Sequence, residues 1–148
     1  MGKVVADEFR LPDDSLVFDQ TNILGTVSQV AGVPTGRIIE RGSNANGEYI
    51  RFADGTQMCW HSTGGTDINV AIGNVFRSAP LVWTYPLAFS VAPMVAGTPR
   101  TGTPVAWGWV GLGNASDTQT QECRYAALCA LSNTGAFSVS LIAIGRWY

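Results

Sequence analysis

The chain has 148 residues, 46% of them hydrophobic and 14% charged, with a formal net charge of −2. This excludes a disordered chain, which needs low hydrophobicity and high charge, and leaves no broad basic surface for nucleic acid. No run of about 18 uninterrupted apolar residues occurs, so no membrane insertion is expected.

One Lys, Lys3, stands beside eight Arg. A monomer of this mass exposes about 7,300 Å², and so few charges cannot cover it. Uncharged polar residues or another subunit must cover the rest, and the expectation is an obligate oligomer. Charge at Lys3, Asp7 and Glu8 comes too early for a secretory signal.

Helix periodicity is almost absent, and Gly or Pro interrupts most windows long enough for one. Short strand-like runs separated by turn residues predict an all-β, antiparallel sandwich. Residues 1–35 differ from the rest. Leu11-Pro12-Asp13-Asp14-Ser15 is a turn cluster, Leu16 to Val33 is mildly apolar without clean period, and Val33-Pro34-Thr35-Gly36 is a breaker. The expected organisation is an N-terminal attachment or oligomerisation arm over 1–35 and a β-sandwich module over 36–148. The alternative makes the arm an extra edge strand of the same domain.

The strongest local signal follows. Glu48, Ile50 and Phe52 alternate with Tyr49 and Arg51, and Thr56, Met58 and Trp60 alternate with Gln57, Cys59 and His61. Ala53-Asp54-Gly55 between them suits a three-residue hairpin loop with Gly55 left-handed and Asp54 bonding the turn backbone.

Further strands are predicted over Asp67–Phe76, Leu81–Tyr85 ending at Pro86, Pro93–Gly97, Val105–Leu112, Gln119–Ala130 and Phe137–Ile144. Cys123, Tyr125, Ala127 and Cys129 share one face of their run, and Glu122 and Arg124 the other. Ser132-Asn133-Thr134-Gly135 is a turn. Val139–Ile144 is apolar on both faces, as in a central strand buried on both sides or one at a subunit interface.

Catalytic chemistry is hard to find. His61 is the one histidine, no GxSxG elbow accompanies it, and no phosphate-binding glycine loop is present. Cys59 and His61 share a strand face without a second ligand cluster or an orienting third group. The three cysteines, Cys59, Cys123 and Cys129, read as buried small hydrophobes. Glu48, Asp54, Asp67, Asp117 and Glu122 could form a glycosidase pair, but nothing in the sequence pairs them. No enzyme activity, metal or cofactor is expected.

Aromatic residues remain as candidates, because a ring face suits sugar C–H groups while polar side chains bind hydroxyls. Trp107 and Trp109, with Asn114, Asp117 and Arg124 nearby, are the candidate glycan-binding residues. The alternative places the tryptophan pair in the core. Trp60, Trp83 and Tyr85 are assigned to the core or a subunit interface.

From Gly42 to Tyr148 the chain resembles a C-terminal module of tailed-phage, prophage or gene-transfer-agent fibre proteins. The matching stretches are Gly42 to Trp60, including Tyr49-Ile50-Arg51-Phe52-Ala53-Asp54-Gly55-Thr56-Gln57-Met58-Cys59-Trp60, then Tyr85 to Val95, then Leu141 to Tyr148. Tyr85-Pro86, Phe89 and Pro93 also look like the core of H-type lectin domains, small antiparallel sandwiches. The resemblance implies a homotrimer on a virion surface that recognises a host-surface polysaccharide and joins other virion proteins through its arm. A structural head-fibre, capsid-decorating or tail-assembly subunit is the alternative.

Overall fold

The computed structural model describes residues 23–101, 108–113 and 119–148. The elements defined there are strands: β1 (Gln29–Val30), β2 (Val33–Pro34), β3 (Ile39–Asn44), β4 (Gly47–Phe52), β5 (Thr56–Ile68), β6 (Val70–Ile72), β7 (Val75–Arg77), β8 (Leu81–Thr84), β9 (Met94–Thr101), β10 (Gly108–Gly113), β11 (Glu122–Cys129) and β12 (Asn133–Arg146). The protein is all-β, and its paired strands are antiparallel.

The first sheet has the order β3-β4-β5-β12-β9. It begins as a meander. β3 and β4 join through the two-residue loop Ala45-Asn46, and Gly47, the first residue of β4, has φ 126°. β4 and β5 join through Ala53-Asp54-Gly55, where Gly55 has φ 91° and its N–H donates to the Phe52 carbonyl at 3.0 Å. Asp54 Oδ1 accepts the Thr56 N–H at 2.8 Å. A left-handed glycine after a turn is the geometry that a three-residue hairpin loop demands, and the hairpin predicted from the sequence is present with the expected pairing.

The second sheet is built around β11. β10 pairs with one edge of β11, while β8 and β7 share the other, β8 over residues 122–125 and β7 over 128–129. Between them the chain crosses from β7 to β8 at Ser78. Its N–H donates to the Ala127 carbonyl at 2.9 Å, and its Oγ accepts the Ala127 N–H at 3.1 Å. Ser78 thus keeps the ladder closed where no strand does.

The two sheets face each other across one core. Cys59 and Ile68 of β5 and Phe137, Val139, Leu141 and Ala143 of β12 meet Trp83, Tyr85, Tyr125, Ala127 and Cys129. Burying each large side chain contributes about 1.5–3 kcal/mol. An aromatic series runs through the core: Trp83 meets Tyr85 edge-on at 5.0 Å, and Tyr85 meets Phe89 edge-on at 5.1 Å. Trp83 Nε1 donates to the Asn46 carbonyl at 2.8 Å, and Asn44 Nδ2 to the Pro86 carbonyl at 2.9 Å. The β3–β4 loop is therefore tied to the segment after β8. The three cysteines are buried and free.

Two strand expectations need correction. The Asp67–Phe76 run is not one strand. Asp67 adopts φ 65°, β5 ends at Ile68, and Val70–Arg77 folds back as the β6–β7 hairpin in the second sheet, turning at Gly73 with φ 57°. Ile68 is buried, but Val70 and Ile72 are exposed, because β5 ends at Ile68 and Val70 opens a separate hairpin in the other sheet. The Ser132–Gly135 turn is largely absorbed into β12, whose register shifts between Asn133 and Ala136; Asn133 Oδ1 accepts the Gly135 N–H at 3.0 Å.

The first hairpin is inverted relative to its hydrophobicity. Gln57 and Cys59 face inward and are fully buried. Ile50, Met58 and Trp60 point to the opposite face, where cross-strand register continues them to Ile142, Ile144, Met94 and Ala96. Met94 is 84% and Ile144 43% exposed. β12 is thus apolar on both faces, with only one covered within a single chain.

Residues 24–27 lie along the free edge of β3. Leu24 bridges Ile39 in parallel, and the Val27 N–H donates to Glu40 Oε2 at 2.9 Å. Val27 is buried. Gly36 sits close against this segment, since a Cβ there would meet the Ser28 N atom at 2.6 Å.

Candidate functional site

Strict alternation along β11 sends Cys123, Tyr125, Ala127 and Cys129 into the core and Glu122, Arg124, Ala126 and Leu128 to the outer face of the second sheet. The register with β10 sets Trp109 beside Leu128, Gly111 beside Ala126 and Gly113 beside Arg124. On the other edge Arg77 lies beside Leu128, and Val82 beside Arg124. Three cross-strand rows result: Trp109–Leu128–Arg77, then Gly111–Ala126, then Gly113–Arg124–Val82.

The middle row has almost no side chain. Gly111 and Ala126 leave the sheet surface low between two taller rows, and the β7–β8 crossing leaves room on the far side. A groove of about 410 Å³ opens there, with Arg77, Pro80, Gly111, Arg124, Ala126 and Leu128 in its lining. Gly111 matters sterically, because a Cβ there would come within 2.8 Å of Leu128 Cδ1. Trp109 is 45% exposed at the end of the first row.

Electrostatically the groove is cationic. Arg77 Nη1 donates to the Ser78 carbonyl at 3.2 Å, and Arg124 is exposed. The ion pair found among the described residues, Arg41 to Glu48 at 3.8 Å, lies on the other sheet. Glu122 stands two residues from Arg124 on the same strand face, outside the groove's lining, and borders a smaller cavity.

That second cavity, about 120 Å³, lies at one end of the sandwich among Tyr85, Pro93, Val95, Leu112, Gln119, Glu122 and Cys123. Burial pushes the Cys123 thiol up to about 11 and raises the Tyr85 phenol as well. Both groups are held neutral at physiological pH, which suits packing rather than proton transfer. A third hollow, about 480 Å³, lies beside β3 between Leu24 and Tyr49; Glu40 Oε1 accepts the Tyr49 hydroxyl there at 3.1 Å.

Cys59 and His61 share the inner face of β5 but do not form a catalytic pair. Cys59 is wholly buried, and burial raises its thiol; His61 stacks on Trp83 with ring centroids 6.4 Å apart. Among the described residues no group of three His, Cys, Asp or Glu gathers for a metal, and no helix is long and apolar enough to cross a membrane.

Of the candidate glycan residues, Trp109 and Arg124 fall on one outer face, two cross-strand rows apart. Trp107, Asn114 and Asp117 lie outside the described residues. Trp83, Tyr85, Pro86 and Phe89 are buried, Trp60 is half-buried on the outer face of the first sheet, and Asp54 and Gly55 form the first hairpin turn. Sequence reasoning missed Arg77, Gly111 and Gly113. The period-two spacing of Trp109, Gly111 and Gly113 was a usable signal; the proximity of Arg77 was not, because it depends on a non-local pairing.

Comparison with known proteins gives a fold likeness. An N-truncated R1-type pyocin tail fibre matches at 19% identity over 72% of this chain and 85% of its own, with a TM-score of 0.48. A C-terminal fragment of the P. aeruginosa R1 pyocin fibre matches at 18% identity over 98% of this chain, with a TM-score of 0.50. The chain spans 40% of the length of that fragment. At this identity the second likeness bears on fold alone. No protein-family model matches the chain, and no curated protein matches it.

Proposed function

We propose that this chain is a receptor-binding module of a phage or phage-like fibre, exposed on the particle surface, that holds a host-surface polysaccharide without cleaving it. The observation that carries this reading is Trp109, a large ring exposed on an open sheet face beside a shallow groove. An indole offers an apolar platform to a sugar ring, and neighbouring polar groups select its hydroxyls. The fold shared with a pyocin fibre fragment supports the setting.

The module works as a homotrimer in this reading. The outer face of the first sheet, with Met58, Trp60, Met94, Ile142 and Ile144, is the surface that copies of the chain cover. Shallow sugar sites bind weakly one at a time, and several copies on one particle raise the net affinity through effective concentration. The arm, residues 1–35, joins the module to other virion proteins. A second reading, a structural virion subunit of head or tail, draws on the same apolar face, with another virion protein as the covering partner.

The test is a glycan array probed with the full-length chain and with Trp109→Ala. The expected outcome is binding to a restricted set of glycans, weakened about tenfold per site by the loss of one stacking contact. A folded Trp109→Ala protein that binds the same glycans undiminished, or a native chain that binds none, overturns the reading in favour of the structural one.

A further inference from the structure

We infer that the groove on the second sheet selects an anionic polysaccharide, with Arg77 and Arg124 as paired carboxylate or phosphate clamps at its two sides. This rests on the glycan-binding reading and narrows its ligand class. Basic residues are scarce in this chain. The chain carries nine basic residues in 148, yet two arginines border one hollow of about 410 Å³.

Their spacing follows from the register. Arg77 is opposite Leu128, and Arg124 lies four residues along the same strand. At the rise of a strand this is about 13 Å, comparable to the length of a disaccharide. Between them the floor is Gly111 and Ala126, which contribute no hydrogen-bonding side chain. A neutral sugar on this floor would meet few acceptors, whereas charged groups on alternate sides of an acidic glycan would each meet a guanidinium. Arg77 has one of its nitrogens committed to the Ser78 carbonyl at 3.2 Å, which holds the side chain over the β7–β8 crossing and leaves its other donors for a ligand. Guanidinium matches carboxylate and phosphate in a planar, two-point fashion.

Both guanidinium groups rise from one sheet face, so an acidic glycan laid between them can meet one at either end. The ion pair among the described residues is on the opposite sheet, so neither arginine is spent on it. Glu122, two residues beyond Arg124 on the same outer face, is absent from the groove's lining and borders the separate cavity at the sandwich end.

The experiment measures binding of the full-length chain to three immobilised probes: polygalacturonate, neutral dextran and single-stranded DNA. Arg77→Gln, Arg124→Gln and Trp109→Ala are measured beside the native chain. The expected result is preferential binding to polygalacturonate that falls with added salt, with a loss of about tenfold for each arginine variant, as removal of a charge-assisted hydrogen bond predicts. Equal binding to DNA overturns the inference, because the groove would then be a general polyanion surface. Binding to dextran that Trp109→Ala weakens and the arginine variants leave intact also overturns it, while sparing the glycan reading. If no probe binds and the glycan array is likewise empty, both fail together. Circular dichroism and a melting midpoint unchanged from native establish that each variant is folded.

Discussion

The Nε–H of Arg51 donates to Gln57 Oε1 at 2.7 Å across the first hairpin, and Gln57 has no solvent exposure. Its amide nitrogen donates in turn to the Leu87 carbonyl at 3.0 Å. One buried glutamine therefore joins β4 to the segment that follows β8, and Arg51 closes the far end by lying over the Trp147 ring at 5.3 Å. Gln57→Leu keeps the volume roughly constant but strands the Arg51 donor and the Leu87 acceptor. The expected cost is about 1–3 kcal/mol per stranded buried group, read as a lower urea midpoint at unchanged slope. An unaltered midpoint would show that water replaces both bonds.

Gly55→Val is expected to destabilise by at least about 1–2 kcal/mol, the penalty for a β-branched residue in left-handed geometry. The surroundings add to it, since a Cβ at Gly55 would run into the Arg146 guanidinium and come within 3.0 Å of the Tyr148 ring. The Trp147 N–H also donates to the Gly55 carbonyl at 3.0 Å. Thermal melting of the variant measures this directly, and an unchanged midpoint refutes the turn geometry.

Ser78→Ala removes the acceptor of the Ala127 N–H at the β7–β8 crossing. A buried unpaired N–H costs about 1–3 kcal/mol. Amide exchange should show Ala127 losing protection ahead of the β5–β12 ladder. If protection at Ala127 persists, the crossing is held by the Ser78 main chain alone.

Stability should decline in alkali. Burial raises Cys123 to about 11 from an ordinary 9.0 and also raises Tyr85 and Tyr125. An acid whose folded value is raised favours the folded state while protonated, and that contribution is lost as pH climbs from the unfolded towards the folded value. Urea midpoints should therefore fall between about pH 9 and 11. Native thiols should resist a disulfide reagent at pH 8 and react once the chain is unfolded. Rapid reaction in the native state would contradict the burial of all three.

Ile144→Lys places a charge in the centre of the apolar outer face of the first sheet, beside Met58 and Met94. If copies of the chain cover this face, light scattering should show the trimer dissociating while strand content by circular dichroism persists. A native chain that is monomeric and fully folded at micromolar concentration would instead require another protein on that face.

The first hairpin was legible because its evidence is local: alternation over residues 48–61 and an Asp-Gly turn of the required length. The split of residues 67–77 between two sheets was not, because the break after Ile68 and the pairing of β7 with β11 leave no mark on the alternation of Ile68, Val70 and Ile72. The inversion of the hairpin was equally hidden. Sequence alternation separates Ile50, Met58 and Trp60 from Gln57 and Cys59, but not which set faces the neighbouring sheet; here the polar Gln57 turns inward because Arg51 and Leu87 can satisfy it. At the candidate site, Trp109 and Arg124 could be singled out by residue type. Arg77 became their neighbour only through pairing of β7 with β11, a contact that no local pattern encodes.

The partnership of β5 with β12 bears on how the chain reaches its native state. His61 pairs with Leu141, and every strand of the second sheet lies between them in sequence. β3, β4 and β5 can close as a meander early, by short loops, whereas the far edge of β5 stays open until β12 has been made. Non-local pairing of this kind slows folding, and an open strand edge invites association with other chains in the meantime. The yield of soluble protein should therefore depend more on temperature and expression rate than on the stability of the finished sandwich.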